Sequence, residues 1–248
     1  MANKGMCLIK GTRGRKKVYR TYDRREVHYS KEHWTILRSL REKAKQIMSV
    51  LADGGIPTIV HGSLVRGDVS YKSDIDVVVP FPVSSFKIEM LLEQEGGFSI
   101  IEKILAQATP NHAIKGHIYL SPEISVTFPL VTFRERELDF YTFGGKLNIE
   151  ELLKDLRKPG VDKRLVLIEP TEDGHIESPV IGRESLIAKT VGVSIEVVEE
   201  RVRVLTRRDE VGRTGVFVKI KIAPWETFED VLKDLAARNP AVRRRLSF

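Results

Sequence analysis

A glycine–serine pair closes one short apolar run, and eleven residues later two aspartates open another; this pairing constrains the chain more than any other feature. The first run, IPTIVH (56–61), and the second, DIDVVV (74–79), are short and rich in β-branched residues, as strands are. Gly62–Ser63 stands where the first strand ends and a helical turn begins. A small residue there lets backbone N–H groups approach an anion, and Ser63 adds a hydroxyl donor. Asp74 and Asp76 lie at i and i+2, so on a strand both side chains point to one face. Two converging carboxylates repel each other unless a cation sits between them. Oxygen-only ligands favour Mg²⁺ or Mn²⁺. An anion cradle beside a carboxylate metal site is the equipment of phosphoryl or nucleotidyl transfer.

Gly62–Ser63, a connection holding Arg66–Gly67–Asp68, and Ser73–Asp74–x–Asp76 before apolar residues together resemble the signature of the polymerase-β-like nucleotidyltransferase superfamily. The resemblance spans residues 56–143 and implies a mixed-sheet catalytic domain that uses a nucleoside triphosphate, with ATP the expected nucleotide, and Mg²⁺ or Mn²⁺. It implies that Gly62, Ser63 and Ser73 contact the nucleotide and that Asp74 and Asp76 hold two metal ions. Arg66 and Lys72 are the nearby cations, suited either to the triphosphate or to ion pairs with neighbouring acids. The superfamily also uses a third carboxylate on a later strand. ELDFYTF (137–143) reads as a further strand, on which alternation leaves Asp139 on the metal-bearing face and turns its apolar neighbours away; Asp139 is the favoured catalytic base and metal ligand, and Glu137, which points the same way, is its competitor. His61 is expected to pack within its strand.

The surrounding pattern is α+β. A helix capped by Ser30 runs to Gly54–Gly55 with an apolar stripe of Ile36, Leu37, Leu40, Ala44, Ile47, Met48 and Leu51. A second helix covers 84–97, strands cover HIYL (117–120) and ISVTFPLVTF (124–133), and a further helix covers 149–157. The resemblance, laid over this pattern, implies a nucleotidyltransferase domain over 30–148, with a C-terminal helical accessory domain over 149–248. In the latter, RLVLIEP (164–170) reads as a strand and TEDGHIESP as an exposed turn. Residues 184–205 resemble a helix-turn-helix, and a hairpin through Gly212–Gly215 would supply the wing of a winged-helix-like module.

Charge supplies the remaining expectation. The net charge is +7, yet residues 1–22 carry seven basic side chains and 238–248 carry four, with no acid in either stretch. The body between them is therefore slightly acidic, and 1–29 together with the C-terminal end read as basic tails able to draw in a polyanion such as RNA. The acceptor is read as a hydroxyl on RNA, on a small molecule or on a protein; a nucleic-acid-binding regulator on a silent transferase fold is the alternative. No apolar run approaches the roughly 20 residues of a membrane span, the first residues lack a signal peptide's apolar region, and a cytoplasmic address is expected. The single cysteine, Cys7, excludes an internal disulfide. Scarce Asn and Gln beside abundant Lys, Arg and Glu match the composition of thermophile proteins.

Overall fold

A computed structural model describes residues 18, 23–212 and 215–246. In chain order the elements are β1 (Arg25–His28), α1 (Lys31–Asp53), β2 (Ile59–His61), α2 (Ser63–Arg66), β3 (Ile75–Val78), α3 (Ser85–Met90), β4 (Glu102–Gln107), β5 (Lys115–Ser121), β6 (Ile124–Pro129), α4 (Glu135–Phe143), β7 (Lys146–Asn148), α5 (Ile149–Leu153), β8 (Gly160–Val161), β9 (Val166–Pro170), β10 (Gly174–Pro179), α6 (Glu184–Val191), α7 (Ile195–Val211), β11 (Val218–Ile222), α8 (Phe228–Arg238) and α9 (Pro240–Leu246). Seven strands form a mixed sheet in the order β11-β4-β5-β6-β3-β2-β7, in which only β3 and β6 run parallel. Four more form an antiparallel sheet, β1-β10-β9-β8.

The expected α1 forms as its pattern requires. The hydroxyl of Ser30 accepts from the His33 backbone N–H at 3.2 Å, satisfying one orphan donor of the first turn. Leu37, Ala44, Ile47, Met48 and Leu51 are buried against the large sheet. Arg41 is buried in the same stripe because its guanidinium answers carbonyls: it donates to Leu64 O (3.1 Å), Val65 O (3.2 Å) and Leu156 O (2.8 Å). Those bonds tie α1 to the turn that follows β2. Val77, Val126 and Ile118 fill the core from β3, β6 and β5, and a side chain on Gly116 would strike the Phe128 ring at 2.4 Å.

The structure corrects several expectations. ELDFYTF is helical, as the body of α4, and not a strand: the Glu137 carboxylate reaches back to accept from the Arg134 N–H at 2.9 Å, as in a capping box. Helical spacing then sends Leu138 and Tyr141 to the main core and Phe143 to a second core under the small sheet. The segment 84–97 is α3 followed by a π-helical turn, Leu91–Glu95, and α5 ends at Leu153. The exposed turn expected over TEDGHIESP is confined to its start; Gly174–Pro179 is β10. Its polar residues hide the strand because they are buried in pairs, with Arg164 bridging Asp162 and Glu177, the latter at 2.6 Å.

The two expected domains are also interleaved. β11 pairs with β4 at the edge of the large sheet, so it is no wing beside α6 and α7, and Phe228, Leu232 and Val242 of α8 and α9 complete the main core. At the other end Arg25–His28, placed by sequence in the basic tail, is a strand paired with β10. The C-terminal basic stretch is the helix α9, with Arg245 only 3% exposed. The rest of the N-terminal tail, Cys7 and the tip of the expected wing (213–214) lie outside the described residues. Among the described residues no helix is long and apolar enough to cross a membrane.

Candidate active site

The anion cradle and the carboxylates come together because β2 and β3 are antiparallel neighbours, Ile59 opposite Val78 and Val60 opposite Val77. The end of β2 therefore lies beside the start of β3. Gly62 takes φ +86°, a left-handed conformation that a side chain would strain. Its N–H donates to Gly145 O at 3.0 Å, and its carbonyl accepts from Val65 and Arg66 as the turn of α2 closes. Ser63 Oγ lies 3.5 Å from Ser73 Oγ, and Ser73 Oγ accepts from the Ser70 N–H at 2.9 Å. This contact holds the cradle against the residue that precedes Asp74.

Asp76 is the best-defined acid of the site. Its side chain is 46% exposed. Oδ1 accepts from Ser125 Oγ at 2.8 Å, and Oδ2 lies 4.0 Å from His61 Nε2. Burial pushes the His61 imidazole down to about 4; Asp76 opposes that shift, while Lys115 and Arg66 reinforce it. His61 is thus neutral at physiological pH and packs edge-on against Tyr141 of α4, with ring centroids 5.0 Å apart. Asp74 stands just ahead of β3, exposed to solvent.

The sheet beside Asp76 presents an unforeseen polar surface. In the parallel register Ser125 lies opposite Asp76 and Thr127 opposite Val78. The antiparallel register continues the row to Tyr119 and His117 on β5. His117 Nδ1 meets Thr127 Oγ1 at 2.8 Å, and burial drives its ring down to about 4 as well. Lys115 donates to the Tyr141 hydroxyl at 2.9 Å; burial lowers its pKa and the Glu137 charge partly restores it. The signal was in the sequence: Ser125 and Thr127 alternate with Ile124, Val126 and Phe128, the period-2 mark of a strand with one polar face.

The other expected site residues divide. Arg66 is 5% exposed, and its guanidinium is held by Asp68, at 2.9 Å to each oxygen, and by Gly144 O at 2.7 Å. It braces the turn after α4 against the cradle instead of facing a triphosphate. Gly67 belongs to the same brace, its carbonyl 2.7 Å from His33 Nε2. Gly160 completes it, since a Cβ there would lie 2.5 Å from the Gly144 carbonyl. Lys72 is exposed in the loop before β3, its ammonium 5.1 Å from the Tyr71 ring. Asp139 rides on α4, so the alternation that aimed it at the metal does not apply. Among the described residues the carboxylate oxygens of Asp74, Asp76 and Asp139 do not gather within 4.8 Å of one another; the trio of ligand atoms that does is Glu26, His28 and Asp173, exposed on the small sheet. Glu137 is turned away too: it accepts from the Ala113 and Arg134 N–H groups and pairs with buried Arg245 at 3.0 Å.

The donor set tests what the site can hold. Two carboxylates, one fixed by a serine hydroxyl and both open to solvent, fit one hard divalent cation.

Comparison with known proteins points the same way. Residues 37–181 match the nucleotidyltransferase domain family, more than half of the chain. A search of curated proteins finds no significant match. Among solved structures, one described as the complex structure of CCA-adding enzyme with ATP is similar at a TM-score of 0.32 and 15% identity, covering 90% of this chain and 50% of that one. The chain thus spans about half the length of that enzyme, and so low a score supports no reading of its site.

Proposed function

Because the chain belongs to the nucleotidyltransferase domain family, we propose that it moves a nucleoside monophosphate from a nucleoside triphosphate to an acceptor hydroxyl. The acceptor oxygen bonds to the α-phosphorus, the bond from that phosphorus to the bridging oxygen breaks, and pyrophosphate leaves. The observation that carries the reading is the antiparallel pairing of β2 with β3, which brings Gly62–Ser63, at the end of one strand, beside Asp74 and Asp76, at the start of the other.

In this reading Gly62 and Ser63 orient the triphosphate and Lys72 neutralises part of its charge. Asp74 and Asp76 would hold Mg²⁺ or Mn²⁺, which when bound offsets phosphate charge and polarises the phosphoryl oxygens. Asp139 is left out as base. Phosphoryl transfer passes through a loose transition state that asks the protein mainly for positioning and charge stabilisation, so the reading does not depend on a carboxylate base. Seven positive charges in residues 1–22 favour a polyanionic acceptor such as RNA. ATP is the proposed donor.

The test is incubation of the full chain with each α-³²P-labelled NTP, Mg²⁺ and a panel of acceptors: RNA, small-molecule alcohols, and the protein itself. Label should pass to one acceptor class with stoichiometric pyrophosphate release. Nucleotide binding without transfer to any class would overturn the reading in favour of a nucleotide-sensing protein.

A further inference from the structure

The strands on either side of β3 are short. β2 offers Ile59, Val60 and His61; β6 offers Ile124 through Pro129; neither contains a carboxylate. The residue directly opposite Asp76 is Ser125, and its hydroxyl donates to Asp76 Oδ1. One strand further, β5 presents Lys115, His117 and Tyr119, again without an acid. The acids that remain nearby are committed elsewhere. Glu102, opposite Tyr119 on β4, pairs with Lys221 at 2.9 Å, Glu123, in the turn before β6, accepts from Ser121 Oγ at 3.3 Å, and Asp68 is clamped by Arg66. Among the described residues no trio of acidic or imidazole ligand atoms within 4.8 Å includes Asp74 or Asp76.

Charge sets the consequence. Two divalent ions at the spacing of a two-metal site, roughly 3.5–4 Å, place four positive charges in a small volume. A triphosphate compensates one ion on its own side. The other needs anionic ligands on the protein side beyond the two carboxylates that already serve the first. Here that flank presents a hydroxyl, two imidazoles (His61 and His117) and the Lys115 ammonium, and none adds negative charge. Ser125 also occupies Oδ1 of Asp76, leaving Oδ2 as the oxygen free of that bond.

We infer that this site is built for one divalent cation and that Ser125, opposite Asp76, sets that number. The inference rests on the reading of Asp74 and Asp76 as cation ligands. It makes Ser125→Asp an addition, not a loss: a third carboxylate beside Asp76 would repel it in the absence of metal and share a second ion in its presence.

The experiment counts Mn²⁺ bound to the full chain with a non-hydrolysable α,β-methylene NTP, by loss of the free Mn²⁺ electron paramagnetic resonance signal, with nucleotide alone as baseline. We expect about one Mn²⁺ per wild-type chain and about two per Ser125→Asp chain. That variant should also gain more thermal stability from Mn²⁺ than the wild type does. Two ions on the wild type would overturn the inference and leave the proposed function standing. One ion on both proteins would remove Ser125 as the residue that sets the number. Nucleotide bound with no Mn²⁺ would instead overturn the reading of Asp74 and Asp76, and the inference with it. If Ser125→Asp does not fold, the wild-type count alone decides between one ion and two.

Discussion

Two triplets in this chain are spelled almost alike, Asp74–Ile75–Asp76 and Glu137–Leu138–Asp139, yet they do opposite work. The first opens a strand, where residues two apart share a face, and the charges of both acids reach Tyr119 on β5. The second lies in the first turns of a helix, where residues two apart point about 200° from each other. Glu137 folds back to satisfy the N–H groups of Arg134 and Ala113 and to neutralise Arg245, and Asp139 is carried round to another side. An acid–apolar–acid spelling aims carboxylates only after the backbone period is known.

The comparison breaks most visibly at Asp76. Asp76→Asn should lower NTP-dependent transfer by about a thousandfold or more, the several kcal/mol of transition-state charge stabilisation that a bound cation supplies. Its melting temperature should stay near that of the wild type, because the side chain is half open to solvent. Retained transfer would remove the first triplet from the chemistry.

Glu137→Gln should do the reverse, sparing the chemistry and weakening the fold. It leaves Arg245 buried without a counter-charge, which costs about 3 kcal/mol for a broken buried pair and lowers the melting temperature by about 2–4 °C per kcal/mol. A pH series sharpens the point. Burial alone would raise the Glu137 pKa, but the two backbone N–H bonds and the Arg245 charge outweigh it and hold it below the ordinary value. A depressed carboxyl contributes stability that is full above the unfolded-state pKa, near 4.5, and is lost as pH falls through the folded value. The wild-type advantage over Glu137→Gln in thermal melts should therefore shrink on acidification; a gap independent of pH would mean that the charge is not what matters.

Smaller effects follow. Ser63→Ala removes one hydroxyl beside the strand-borne pair and should weaken NTP binding roughly tenfold, as one hydrogen bond to a charged group would, without moving the melting temperature. Asp139→Asn should change transfer by less than about threefold, since surface substitutions away from a site stay within ~0.5 kcal/mol. A loss comparable to that of Asp76→Asn would return the second triplet to the site.

Much of this arrangement was legible. Ser30 and the stripe from Leu37 to Leu51 specify α1, and the β-branched runs at 59–61 and 75–78 specify the two strands that carry the motif. ISVTFP shows its alternation openly. What misled was ELDFYTF, in which apolar residues at 138, 140, 141 and 143 satisfy a period of two and a period of 3.6 about equally. The decision is made by Arg134 N–H and Arg245, the latter more than a hundred residues away. β10 was hidden because His175 and Glu177 are buried among polar partners, and a charged residue inside a strand reads as a turn until Arg164 is placed beside it. The sequence leaves Arg66 between a triphosphate and an ion pair with a neighbouring acid; in the structure Asp68 is that acid.

The position of β11 bears on how the molecule is made. Val218 pairs with Gln107, so the outermost strand of the large sheet is synthesised more than a hundred residues after the strand it covers. Until it arrives, β4 carries a row of unsatisfied N–H and C=O groups along one side, a template onto which a second nascent chain could add. Closing that edge late is slow, because a long loop must be ordered first. Once in place, β11 turns Lys219 and Lys221 to solvent, the latter paired with Glu102 at 2.9 Å, and lysines on a border strand discourage further addition. The last strand to be made thus both completes the sheet and keeps one copy of the protein from growing onto the next.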